Sequence, residues 1–120
     1  MSTKNLRETL LSKSQRRYTE IDIDGDLFCI QSLTELERSQ QEATMINPKT
    51  MKVDFRKFPE SKLKMICLCL VDPESKEVLF QPHEWVALQQ LDSRIVNKLY
   101  SACSDHNGWD ESVVEELVGN

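Results

Sequence analysis

Asp24-Gly25 stands between two runs of alternating hydrophobicity, "YTEIDI" and "DLFCIQ". This dipeptide is favoured in a two-residue type I′ turn, where both central residues need positive φ. The turn fixes the pairing. Ile23 faces Asp26 and Ile21 faces Phe28, which puts Thr19, Ile21, Ile23, Phe28 and Ile30 on one face of a hairpin. Tyr18, Glu20, Asp22, Leu27, Cys29 and Gln31 share the other, more polar face. The acidic triplet Asp22, Asp24 and Asp26 does not fit a calcium loop, which needs glycine at its sixth position and a carboxylate at its twelfth. Counting from Asp22 gives Leu27 and Leu33 at those positions; counting from Asp24 gives Cys29 and Glu35.

The order of elements after the hairpin follows from caps and periodicity. Ser32 and Thr34 each stand three residues before a glutamate, Glu35 and Glu37, which is capping-box spacing for a helix through "ELERSQQEA". Only Leu36 and Ala43 are apolar there, so most of that helix should be wet. Met45 to Phe58 reads as a long loop, with Asn47-Pro48 as a turn signal and a short strand at Val53 to Phe55. The apolar run "ESKLKMICLCLVD" is read as a buried helix, with a buried strand as the alternative. Pro59 suits its first turn, Leu63, Ile66 and Leu70 fall on one face, and Asp72-Pro73 stops it. "KEVLF" reads as a returning strand, and Pro82, Trp85, Leu88 and Leu91 as a short helix.

Asp92 or Ser93 then opens the most amphipathic helix. Its buried stripe is Ile95, Val96, Leu99, Tyr100, Ala102 and Cys103, with Arg94, Asn97, Lys98, Ser101 and Ser104 facing water. Asn107-Gly108 ends it. A last helix is expected from Asp110, with Trp109 and Val114 as a hydrophobic staple and Val113 and Leu117 inward. The expected class is α+β: an N-terminal β-hairpin, forming a small antiparallel sheet, packed against four to five α-helices. Residues 1–17 read as an arm bearing Leu6, Leu10 and Leu11 and ending in the polar linker "SKSQRR"; residues 18–120 read as one domain.

Charge and side-chain chemistry narrow the function. With 15 Lys and Arg against 20 Asp and Glu, the net charge is −5. That balance disfavours nonspecific binding to nucleic acid or anionic membranes and favours protein partners. No stretch approaches the roughly 18 apolar residues of a membrane span, and no signal-peptide pattern opens the chain, so an intracellular setting is expected. Cys29, Cys67, Cys69 and Cys103 lie among apolar neighbours without a C-x-x-C pair, as buried reduced thiols do. On a helix, Cys67 and Cys69 point about 200° apart, which rules against shared metal ligation. Only His83 and His106 could serve as bases, both in turn-like contexts, and Gly25, Gly108 and Gly119 form no phosphate-cradling loop. Neither catalysis, cofactor nor metal is expected.

Five features recur in order: the leucine arm, "EIDIDGDLFCIQSLT" leading into "ELER", "LKMICLCLVDPESKEVLF", "DSRIVNKLYSACSDHNG" and a short acidic tail. The set resembles the tail assembly chaperones of long-tailed, lambda-like bacteriophages over roughly residues 6–108. The family pattern is a strand, glycine turn and strand running into L-T-x-x-E-R, an apolar segment closing on C-L-V-D with a turn and L-F, and an aliphatic helix ending in Asn-Gly. One departure stands out: the family's tight Asp-x-x-Gly turn is replaced by "DPESKE". The resemblance implies a non-enzymatic protein of the host cell cytoplasm. It would coat the tape measure protein, help tail tube subunits polymerise around it, and be absent from the finished virion. It also implies a programmed frameshift near the end of the gene; Val118, Gly119 and Asn120 can be encoded with a slippery heptamer.

For a hydrophobic helical client the candidate contacts are Leu6, Leu10 and Leu11 in the arm and Met45, Ile46, Met51 and Val53 in the loop. The alternative is that these pack on the domain's own core. A homo-oligomer is compatible with the resemblance. A small protein-interaction adaptor domain without catalytic activity is the competing function, and an enzyme would need a pocket holding His83 or His106 beside a carboxylate.

Overall fold

The computed structural model describes residues 5–108 and has the α+β class expected. Strands β1 (Tyr18–Ile23) and β2 (Asp26–Gln31) pair antiparallel, Ile23 opposite Asp26 and Ile21 opposite Phe28, as the turn dictates. Asp24 and Gly25 have φ of 53° and 93°, the conformation of a type I′ turn. Two of the three aspartates near the tip have a structural use. Asp22 Oδ1 accepts the Gly25 N–H at 3.1 Å, and Asp24 Oδ2 receives Arg94 Nη2 at 3.2 Å.

The apolar run forms α3 (Phe58–Cys69), but its last two apolar residues leave the helix. Leu70 and Val71 make β5, the third strand of the sheet, opposite Ile30 and Cys29. Leu70 was expected on the helical face with Leu63 and Ile66. Its extended backbone (φ −81°, ψ 116°) instead pairs with the open edge of β2, whose N–H and C=O groups need partners. Gln31 helps to close the helix: its Nε2 donates to the Leu68 carbonyl at 2.8 Å, satisfying one of the acceptors left at a helix end. The expected "KEVLF" strand shrinks to one bridge, Val78 to Val71. In the turn between them Asp72 Oδ1 accepts the N–H groups of Glu74 (2.8 Å) and Ser75 (2.9 Å), and Lys76 takes φ 63°. A left-handed residue is thus reached in "DPESKE" without glycine.

The remaining helices are α2 (Glu35–Ala43), α4 (Trp85–Leu88, after a 3-10 turn at Pro82–Glu84) and α5 (Ser93–Asn107). Thr34 and Glu37 form the capping box of α2, while Ser32 is diverted: its Oγ accepts the Arg17 N–H at 2.8 Å. Asp92 caps α5 through the Arg94 N–H, and Gly108 ends it at φ 65°. The core lies between the sheet and α3, α4 and α5. It joins Ile23 and Ile30 to Leu63, Ile66, Cys69, Leu70, Leu88, Leu99 and Cys103, with Ile95, Val96, Tyr100 and Ala102 packed beside it. Ser104, expected to face water, is buried; α5 packs against α3 and against the strands β1 and β2. The polar face of the hairpin is likewise covered at its open end, where Cys29 and Gln31 are buried.

Two expectations about irregular segments change. The long loop contains a minimal hairpin, β3 (Ile46–Asn47) with β4 (Lys52–Val53), and Phe55 lies in a 3-10 turn rather than a strand. The arm holds a short helix, α1 (Leu6–Leu11). The helix expected from Asp110, with Trp109, Val113, Val114 and Leu117, and the residues Val118, Gly119 and Asn120 lie outside the described residues.

Candidate protein-contact surfaces

Helix α1 begins because Asn5 Oδ1 accepts the Glu8 N–H at 3.2 Å. None of its residues is buried: Leu6, Leu10 and Leu11 are 73%, 69% and 63% exposed. A helix this short is far below the roughly 12–15 residues that sustain themselves in water, and its apolar seam lies uncovered.

The arm is fastened at its base. Arg16 makes a bidentate pair with Glu37 (Nη1–Oε1 2.6 Å, Nη2–Oε2 3.0 Å) and also donates to the Ser32 carbonyl. This hydrogen bonding holds the Glu37 carboxyl below its ordinary range and raises Arg16. Arg17 Nη2 donates to the His106 carbonyl at 3.1 Å, and His106 Nε2 donates back to the Arg17 carbonyl at 3.0 Å. The segment read as a polar linker therefore ends in two arginines that belong to the domain. The same corner joins two motifs far apart in sequence. Leu33 N–H donates to Asn107 Oδ1 at 2.7 Å, and Arg38 Nη1 donates to the Asn107 carbonyl at 3.0 Å, so "LTELER" is tied to the Asn-Gly end of α5.

The four loop candidates separate. Met45 is 3% exposed and belongs to the interior, so it is removed from the candidate surface; the chain after α2 turns inward there before β3 begins. Ile46 and Val53 face each other across the small hairpin and are half-buried. Met51 is 75% exposed at φ 58°. Phe55, four residues further on and without periodicity to mark it, is 56% exposed. The only available signal was an aromatic set among Lys49, Lys52, Arg56 and Lys57.

The groups with chemical potential are occupied otherwise. All four cysteines are free and buried. A hydrogen bond with Cys69 and then burial push the Cys103 thiol far up, and burial, with Glu84 nearby, pushes Cys67 to about 11. Thiols held neutral in this way are poor nucleophiles and poor metal ligands. His83 lines a groove of about 410 Å³ with Gln40, Gln41, Thr44, Lys64, Leu68, Pro82 and Trp85, a lining without a carboxylate. Among the described residues no three His, Cys, Asp or Glu are grouped to hold a metal, and no helix is long and apolar enough to cross a membrane. A second groove of about 330 Å³ runs between Phe58, Leu63, Leu88, Leu91 and Val96.

Comparison with protein families, curated proteins and solved structures finds no match for this chain.

Proposed function

We propose that this protein is a phage tail assembly chaperone that binds and shields the tape measure protein in the host cell cytoplasm and promotes polymerisation of the tail tube protein around it. The observation that carries the reading is the ordered set of motifs from the leucine arm to Asn107-Gly108. The exposed leucines of α1 supply a physical means. A client whose apolar helical surface would otherwise aggregate can bury it against Leu6, Leu10 and Leu11. The chain's net charge of −5 then adds electrostatic repulsion between coated clients, which keeps them apart in solution. The role needs neither metal nor cofactor.

The test is a pull-down of the tape measure protein by the intact chain and by a variant with Leu6→Ser, Leu10→Ser and Leu11→Ser. Because none of these side chains is buried, the variant should unfold with wild-type cooperativity and retain much less client. Full retention by the variant overturns the assignment of the arm. Absence of any complex with the wild-type chain overturns the function, leaving an adaptor for another protein as the reading to pursue.

A further inference from the structure

We propose that the β3–β4 hairpin and the turn after it form a docking surface for an acidic protein segment carrying apolar side chains. Met51 and Phe55 are its apolar contacts, and Lys49 and Lys52 its cationic rim. Residues 46–58 hold four of the chain's 15 Lys and Arg and one of its 20 Asp and Glu. That one carboxylate, Asp54, is taken by Arg56, whose Nε and Nη2 each lie 3.1 Å from it. The segment is therefore a local cationic site on an acidic protein, and it matches a partner of opposite charge.

The apolar contacts are set at an unusual position. A single exposed methionine is ordinary. Met51, however, combines 75% exposure with a left-handed backbone, φ 58°, that glycine or asparagine adopts with less steric conflict. Backbone strain held at a solvent-facing residue points to a use for its side chain. Methionine suits varied apolar partners because its side chain is unbranched and polarisable. Phe55 adds a ring that is 56% exposed.

The platform beneath these residues is fixed. Met51 N–H donates to the Asn47 carbonyl at 2.7 Å, Asp54 N–H to the Met45 carbonyl at 2.7 Å, and Lys57 Nζ to the Ile46 carbonyl at 3.4 Å. Met45 is buried, and the Phe58 ring meets Tyr100 edge-on at 5.9 Å. A surface ordered before binding loses little entropy when it is occupied.

Charge distribution favours a protein segment over a nucleic acid. A polynucleotide extends over several screening lengths of about 8–10 Å and would also meet the rest of this acidic chain, whereas a short acidic helix engages only the local cations. This inference rests on the chaperone reading only in taking the client as the natural source of such a segment.

The test is fluorescence anisotropy with the full chain and a labelled amphipathic peptide of leucine and glutamate, about 18 residues or five helical turns long. Its lysine-for-glutamate counterpart and a single-stranded RNA of about 20 nucleotides serve as the other arms. The acidic peptide should bind, the basic one should not, and binding should fall about tenfold or more in Met51→Ser with Phe55→Ser. It should fall similarly in Lys49→Gln with Lys52→Gln, two exposed positions where folding is not at stake. Equal binding of the two peptides, wild-type affinity in the lysine variant, or tighter binding of RNA through the same residues each overturns the proposal. Tape measure protein retained equally by both variants overturns this surface and leaves the chaperone reading standing. Binding of the acidic peptide without any association of tape measure protein does the reverse.

Discussion

Met51 and Lys76 adopt nearly the same left-handed backbone, with φ of 58° and 63°, and differ in what their side chains touch. Met51 is 75% exposed. Lys76 places its Nζ 5.1 Å from the centroid of the Tyr18 ring and 3.9 Å from Cys29 Sγ, and donates to the Pro73 carbonyl. Replacing either by glycine relieves a steric cost of about 1–2 kcal/mol. It also adds about 0.5–1 kcal/mol of backbone entropy to be lost on folding. These two contributions cancel when the variants are compared with each other. What remains is the side-chain difference. An exposed cation over a ring contributes about 0.5–1 kcal/mol, and Met51 gives up little buried area. Met51→Gly should therefore equal or exceed the wild type in stability by up to about 1.5 kcal/mol, and exceed Lys76→Gly by about 0.5–1 kcal/mol. In urea denaturation with unchanged slopes of about 1–3 kcal/mol/M, that separates the two midpoints by roughly 0.2–1 M. Coincident midpoints, or a Met51→Gly midpoint well below that of the wild type, would refute the reasoning. A Met51→Gly protein that is as stable as wild type yet weaker for the acidic peptide would separate strain from packing.

Three further outcomes are expected. Leu99, 3% exposed at the centre of the α5 stripe, should cost about 2–5 kcal/mol on change to alanine, against under about 0.5 for exposed Lys98→Ala, both read by urea denaturation. At pH 8 the native thiols should react slowly with a chromogenic disulfide and all four should react at once in denaturant, because the hydrogen bond with Cys69 and burial keep Cys103 protonated, burial keeps Cys67 so, and Cys29 and Cys69 are out of reach. Arg16→Gln should cost about 1 kcal/mol at neutral pH and progressively less in acid, when stability is followed against pH. The folded Glu37 carboxyl lies below its unfolded value, so this contribution is present above the unfolded carboxylate range and disappears as pH falls through the folded value.

Features set by near neighbours in the chain were legible. The hairpin register follows from Asp24-Gly25, the start of α2 from Thr34 and Glu37, and the end of α5 from Gly108, each a matter of a few adjacent residues. Leu70 and Val71 were not, because a continuous apolar run looks the same as helix or strand until β2 presents an unpaired edge. Long-range pairing also explains the fastening of Arg16 and Arg17, whose partners Glu37 and His106 are distant in sequence. Of the contact candidates, Leu6, Leu10, Leu11 and Met51 are exposed, whereas Met45 is turned inward by a change of direction that composition does not encode. Phe55 is one aromatic in a basic loop and has no periodicity to mark it.

The central claim is that this small acidic protein keeps an aggregation-prone tape measure protein soluble. Light scattering of that protein, diluted from denaturant into buffer with and without the chain, tests it most directly, with the triple serine variant of α1 alongside. The account predicts that the wild-type chain suppresses scattering and leaves a soluble complex of both proteins on sizing, while the variant suppresses little. Scattering that rises equally in the presence and absence of the wild-type chain, with no shared species on sizing, would contradict it.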